Sequence, residues 1–98
     1  MDTKFEIYIP TNNTKVVREY ASEITKEFGG CTVRPGAEGL WTDPNNYVLH
    51  DAITIIEVYA LKESLSKVTA LAQKIAKNLG QQCVSVTVTP AKMMFIYP

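Results

Sequence analysis

The chain has 98 residues, of which 46% are hydrophobic and 20% charged, and its ten basic side chains are balanced by ten acidic ones. This composition is typical of a globular protein, and the length predicts one domain over residues 1–98. A net charge of zero removes the attraction on which most nucleic-acid binding depends, so nucleic acid is not an expected partner. No apolar run has the length of a signal peptide or a membrane span, which predicts a cytoplasmic protein without a membrane partner.

The first half of the chain has the pattern strand, helix, strand. Residues 4–9 (KFEIYI) alternate apolar and polar side chains, which predicts a half-buried strand that ends at Pro10. After several polar residues suited to N-capping, apolar side chains recur at helical spacing from Val17 to Phe28, and Gly29 ends the predicted helix. From Cys31 the alternation returns, which predicts the start of a second strand.

The second half repeats this order. Residues 53–60 (ITIIEVYA) are rich in β-branched side chains and predict a strand. Apolar positions over 61–79 predict an amphipathic helix, with Ser64 as a candidate N-cap and Gly80 as its stop. Residues 83–89 (CVSVTVT) predict a further strand, and residues 93–97 (MMFIY) predict a last strand or a short hairpin.

Two successive βαβ units predict an α+β fold, the ferredoxin-like βαββαβ sandwich. Its antiparallel sheet carries two helices on one face. A hairpin is expected as an insertion after the second strand, and an extra strand can follow at the C-terminus. In this topology Cys31 and Cys83 lie about 14 Å apart, which is beyond the reach of a disulfide. We therefore expect two buried, free thiols.

The sheet face without helices is expected to be partly apolar. If Thr54, Ile56 and Val58 face the helices, the alternate residues of the same strand face outward. An apolar patch of this kind usually marks an interaction surface, so the sequence predicts a homo-oligomer. The predicted interface residues are Tyr8, Ile53, Ile55, Glu57 and Tyr59. The alternative is that the long loop or the final strand of the same chain covers this face.

The segment 34–51 is long for a connection between neighbouring strands, and such segments tend to carry structure or function. Residues 40–42 and 47–49 flank Asp43-Pro44-Asn45-Asn46, in which the proline suits the second position of a type I turn. The sequence thus predicts a small hairpin. Glycines on either side, at positions 29, 30, 36 and 39, permit the left-handed turn from helix to strand and the bend toward this hairpin.

Five side chains in and around this segment form the predicted ligand-binding set. Arg34 is suited to paired hydrogen bonds with phosphate or carboxylate, and Trp41 is suited to stacking on a flat ring. We therefore expect a small anionic or aromatic ligand, in a pocket that a neighbouring subunit helps to complete. The set is Thr32, Arg34, Trp41, Tyr47 and His50. The alternative is structural, with Trp41 closing the end of the core and Arg34 in solvent.

The sequence contains no strong catalytic or metal-binding motif. His50 is the only histidine, and although Asp51 follows it, no recognisable nucleophile motif accompanies the pair. One histidine and two separated cysteines do not form a zinc ligand set. The prediction is therefore no catalytic residue, no metal and no cofactor, with a small enzyme that uses His50 and Glu57 as the third-ranked hypothesis.

The order YIP, helix, FGGCTV, G-x-x-G-x-W and a strand with an acidic residue resembles a mostly uncharacterised family of small bacterial and phage proteins. That family carries the pattern YVP…FGG-x-T…G-x-W. The resemblance covers residues 7–59, and the extra pair Ala37-Glu38 before Gly39 departs from it. The matching positions are Gly29, Gly30, Thr32, Gly39, Trp41 and Glu57. The pattern is similar in topology to trimeric copper-tolerance and PII-type signalling domains, which bind ligands between subunits.

The resemblance implies a non-catalytic, ligand-binding oligomer. Some small phage proteins of this kind sequester nucleotide-derived immune signals of their host, which would place this chain in the host cytoplasm. The leading hypothesis is thus an oligomer that binds a small molecule around Trp41 and Arg34. The second is a protein-interaction module that inhibits or scaffolds a partner protein.

Overall fold

A computed structural model describes residues 1–98 as one four-stranded sheet with two helices. The elements are β1 (Thr3–Ile9), α1 (Thr14–Phe28), β2 (Thr32–Thr42), β3 (Val48–Ala60), a 3₁₀ turn (Lys62–Ser64), α2 (Leu65–Asn78) and β4 (Ser85–Pro90). The strand order is β2-β3-β1-β4, and all three pairings are antiparallel. The predicted ferredoxin-like fold is confirmed.

The core lies between the sheet and the helices. Every second residue of β1 and of the second half of β3 is buried, as the period of a strand with one covered face requires. From the helices, Val17, Tyr20 and Ile24 of α1 and Val68 and Ile75 of α2 pack into the same cluster. The outward residues of β3 from Ile53 to Tyr59 are only partly buried, as the alternation predicts.

Both ends of α1 follow from local chemistry. The Asn13 side chain caps the helix by accepting a hydrogen bond from the Val16 amide at 3.2 Å. At the other end, Gly29 has a φ of 91°, a left-handed conformation that a side chain disfavours, and its amide donates to the Thr25 carbonyl. Gly30 has no positive φ, so the turn from helix to strand requires only one of these two glycines.

Three details differ from the sequence expectations. Ser64 stands at the N-terminus of α2, but its side chain makes no capping hydrogen bond because a 3₁₀ turn precedes the helix there. The thiols are free, yet Cys31 is only half-buried and Cys83 is exposed, since Cys83 precedes the first paired residue of β4. The expectation that both are buried was therefore wrong.

The C-terminal segment forms no strand. Residues 91–98 leave β4 without regular secondary structure, and the side chains from Met94 to Tyr97 are exposed. Pro90 is the last paired residue, opposite Thr3, so the sheet ends at β4. We refer to residues 91–98 as the tail.

Strands β2 and β3 extend well beyond the sheet body as a two-stranded arm. Their pairing continues to Thr42 and Val48, and it gives the molecule a long axis of 52 Å against 27 Å and 24 Å. The turn matches the predicted hairpin. Pro44 occupies its second position, and the Asp43 carboxylate accepts hydrogen bonds from the amides of Asn45 and Tyr47. The segment 34–51 is thus mostly strand rather than loop.

Neither helix is both long enough and apolar enough to span a membrane.

Candidate ligand-binding site

Two carboxylates face each other at the centre of the uncovered sheet face, the face opposite the helices. Glu6 of β1 pairs directly with Glu57 of β3, and like charges in this position repel. Arg34 of β2 resolves the conflict by forming ion pairs with both, at 2.5 Å to Glu6 and with a further contact to Glu57. Thr87 of β4 donates a hydrogen bond of 2.9 Å to the other oxygen of Glu6. All four strands therefore contribute to this cluster.

The hydrogen bonds of the cluster shift its acid–base equilibria. Those from Arg34 and then Thr87 lower the pKa of Glu6 below its ordinary value of 4.5. In turn, hydrogen bonds to Glu6 and Glu57 raise the pKa of Arg34. The guanidinium is thus shared between two carboxylates, and an anionic ligand would have to compete with both of them.

A β-bulge decides which residues of β2 share a face with Arg34. Between Arg34 and Ala37 the strand advances by three residues while β3 advances by two, from Ile55 to Ile53. Gly36 lies in this bulge with a φ of 87°. Strict alternation would place Arg34 and Trp41 on opposite faces, because seven residues separate them; the extra residue brings both to the uncovered face.

The arm presents its aromatic side chains to solvent. Trp41 is 43% exposed and Tyr47 is 69% exposed, and the neighbouring apolar side chains of Leu40, Val48 and Leu49 are exposed too. Trp41 therefore does not close the end of the core. Gly39 makes room beside it, because a Cβ there would lie 3.1 Å from Cγ1 of Ile53.

The five predicted site residues fall into two groups. Thr32 and Arg34 lie in the sheet body, opposite Glu57 and Ile55. Trp41 lies on the arm, opposite Leu49. Along the strands it is about 20 Å from Arg34 and about 26 Å from Thr32, and Tyr47 follows the turn. Within one chain, the groups do not meet.

His50 is separated from the other predicted groups. It pairs with Leu40, so it lies on the face of the arm opposite to Trp41, where its Nδ1 is 3.8 Å from the Glu38 carboxylate. Glu57 lies about 23 Å further along the same strand. One chain therefore does not bring His50 and Glu57 together as a catalytic pair. No three His, Cys, Asp or Glu side chains are grouped so that they could hold a metal ion.

Glu6 and Thr87 belong to the charged cluster but were not identified from the sequence. Glu6 lies on the outward side of its strand, as does Tyr8. Antiparallel pairing of the two central strands places Glu6 opposite Glu57 only in the register that the structure shows. The only sign in the sequence was that Glu6, like Glu57, is a carboxylate at an outward strand position, where it needs a cation as a partner.

A cleft of about 370 Å³ adjoins the charged cluster. Its lining comes from the turn between α1 and β2, the outward face of β3 and the tail. The tail thus covers part of the uncovered face near Tyr59, which partly matches the alternative that the same chain folds over it. A larger depression, about 680 Å³, lies between the helices, where Lys67 pairs with Glu27 and Lys74 with Glu23 across it.

No family model and no curated protein matches this chain. Several solved structures have the same fold. The divalent cation tolerance protein CutA1 of Thermus thermophilus superimposes with a TM-score of 0.73 at 15% identity, over 97% of this chain and 88% of its own. CutA1 of Oryza sativa superimposes with a TM-score of 0.70 at 19% identity, over 96% of this chain and 83% of its own.

A third similar structure is a phage SAM lyase in complex with S-methyl-5'-thioadenosine. It gives a TM-score of 0.70 at 18% identity, over 91% of this chain and 81% of its own. At these identities the likeness shows the fold alone. The resemblance to the bacterial and phage family, the single-domain organisation and the cytoplasmic location stay predictions.

Proposed function

We propose that this protein is a homo-oligomer that binds a ring-bearing small molecule between its subunits. The observation that carries the proposal is the placement of Trp41 and Arg34. Both lie on the uncovered face, yet in one chain about 20 Å of strand separates Trp41 from Arg34. A second copy is the direct way to bring an arm tip to the charged cluster.

The exposed apolar surface supports the assembly. On this small chain Ile53 and Ile55 of the uncovered face are partly exposed, and Trp41 on the arm and Phe95 in the tail are exposed. Surfaces of this kind usually mark interaction sites, and closed symmetry is the usual outcome for identical chains.

The ligand is proposed to be a nucleoside or nucleotide derivative. Trp41 and Tyr47 offer exposed aromatic rings on which a flat base could stack. The phage SAM lyase, whose fold is similar, is in complex with the nucleoside S-methyl-5'-thioadenosine. Non-catalytic sequestration of a nucleotide-derived immune signal, by a phage-encoded protein in the host cytoplasm, is the proposed biological role.

Native mass spectrometry of gently purified protein tests this function. The expected result is a symmetric oligomer that releases a nucleotide-like mass on denaturation. The double variant Arg34→Ala, Trp41→Ala should lose the ligand. If that variant keeps both assembly and ligand, the proposed site is wrong; a stoichiometric partner protein in place of a small molecule would favour the protein-interaction module instead.

A second candidate function is cleavage of S-adenosylmethionine. It is favoured by the fold shared with the phage SAM lyase and by the Glu57 carboxylate, which lines a cleft. Incubation with S-adenosylmethionine, followed by chromatography for S-methyl-5'-thioadenosine, separates the candidates. Formation of this product, lost in Glu57→Gln, would establish the lyase and refute the non-catalytic proposal.

A further inference from the structure

The cleft beside the charged cluster is built by a single chain. The tail contributes Met93 and Phe95, β3 contributes Glu57 and Tyr59, and the turn from Phe28 to Thr32 completes it. Its volume of about 370 Å³ is within the range of about 300–1,000 Å³ that is usual for small-molecule sites.

Glu57 is the only charged side chain that lines this cleft. Its Oε2 accepts a hydrogen bond from Arg34, whereas no hydrogen bond in the structure uses its Oε1. The side chain is 12% exposed, and since no buried side-chain oxygen lacks a hydrogen-bond partner, the free oxygen is open to solvent or a ligand. A carboxylate oxygen of this kind favours a donor, and a positively charged donor most of all.

Arg34 alone does not balance the two carboxylates of the charged cluster, although Lys4, opposite Tyr59, adds a positive charge that acts on Glu6. Arg34 is shared between Glu57 and Glu6, which leaves the three groups together with one net negative charge. Met1 also lines the cleft, but its terminal ammonium group acts on the carboxylate of Asp2. The pKa of Asp2 is lowered mainly by its hydrogen bond with Thr3, and the ammonium group adds to this effect.

The remaining walls are aromatic and polarisable. Tyr59, Phe28 and Phe95 supply rings, and Met93 supplies a thioether. The faces of aromatic rings attract cations, and methionine adapts to the shape of an apolar ligand. Aromatic walls beside one free carboxylate oxygen are the chemistry that recognises an organic cation.

We propose that this cleft binds an organic cation, with its apolar body against Phe95 and Tyr59 and its positive group at Oε1 of Glu57. The inference goes beyond the proposed function because it needs only one chain. It also assigns the tail a role as a wall of a binding site.

Two indole compounds of opposite charge test the proposal. Tryptamine and indole-3-propionate are titrated separately into ¹⁵N-labelled protein, and amide shifts are followed by NMR. Tryptamine should give saturable shifts at Gly29, Gly30 and Thr32, and indole-3-propionate should bind about tenfold more weakly. Equal affinities for the two compounds, or no saturable shifts with tryptamine, would overturn the proposal.

Matched variants locate the binding. Glu57→Gln should weaken tryptamine binding about tenfold. Glu6→Gln removes the same charge and also a partner of Arg34, but it lies outside the cleft and should weaken binding less, because Oε1 of Glu57 remains. Phe95→Ala should weaken binding, and Ile96→Ala, at the exposed neighbouring position, should not. Equal effects within either pair would refute the assignment.

Tryptamine binding to the cleft can be tested separately from the proposed assembly, because one chain builds the cleft. Size-exclusion chromatography with light scattering is run on the same samples, so that binding and assembly are read separately. Saturable tryptamine binding to a monomer would support the cleft and refute the proposed assembly. Shifts confined to the glutamates of α1 would indicate nonspecific charge attraction and refute the cleft.

Discussion

The charged cluster on the uncovered face depends on one side chain, Arg34. Without it, Glu6 and Glu57 would face each other across β1 and β3 with no cation between them. We expect Arg34→Met to lower the free energy of unfolding at pH 7. Because the folded state lowers the pKa of Glu6, the stabilisation is present above the unfolded pKa and is lost as the pH falls through the folded pKa.

The difference between wild type and Arg34→Met should therefore narrow as the pH falls below 4.5. Urea unfolding at pH 7 and at successively lower pH measures it. Lys67→Met removes the same charge from an exposed helix pair and serves as the control. A stability difference that stays constant over this pH range would contradict the assignment.

Gly36 is the second residue on which the site depends, because it lies in the β-bulge of β2. Its φ of 87° is unfavourable for a side chain, although a Cβ there would meet no neighbouring atom within 4 Å. Gly36→Ala should thus lower the free energy of unfolding by about 1–2 kcal/mol through backbone strain alone. Gly30→Ala, equally unobstructed but without a positive φ, should have a much smaller effect in the same urea titration.

At the scale of elements, the bulge in β2 sets the orientation of the arm. Deletion of Gly36 would restore strict alternation and turn Trp41 away from the uncovered face. In the structure, the Trp41 indole and the Ile53 side chain both lie within 4 Å of the position that a Gly39 Cβ would occupy. We expect nuclear Overhauser contacts between them to disappear in this variant, while contacts within the helix-facing core persist. Retention of the indole contacts would show that the arm does not follow the bulge.

At the scale of the whole molecule, the uncovered face should be the assembly surface. A lysine in place of Ile53 would bury a charge in the proposed interface, so Ile53→Lys should dissociate the proposed oligomer. Leu61→Lys places the same charge at an exposed apolar position in the connection to α2 and should leave the mass unchanged. Light scattering coupled to size-exclusion chromatography measures both, and an Ile53→Lys protein of wild-type mass would argue against this surface.

The sequence by itself determined the order of the elements, the ferredoxin-like topology and the outward face of β3. These follow from local periodicity and from turn residues such as Gly29 and Pro44, whose preferences act over a few neighbours. Only the tertiary structure decided which distant residues meet. The position of the tail near Tyr59 depends on long-range packing, since the tail forms no strand. The cross-strand pairing of Glu6 with Glu57 and the bulge that turns Trp41 toward the face of Arg34 depend on strand register, which spacing along one chain does not encode.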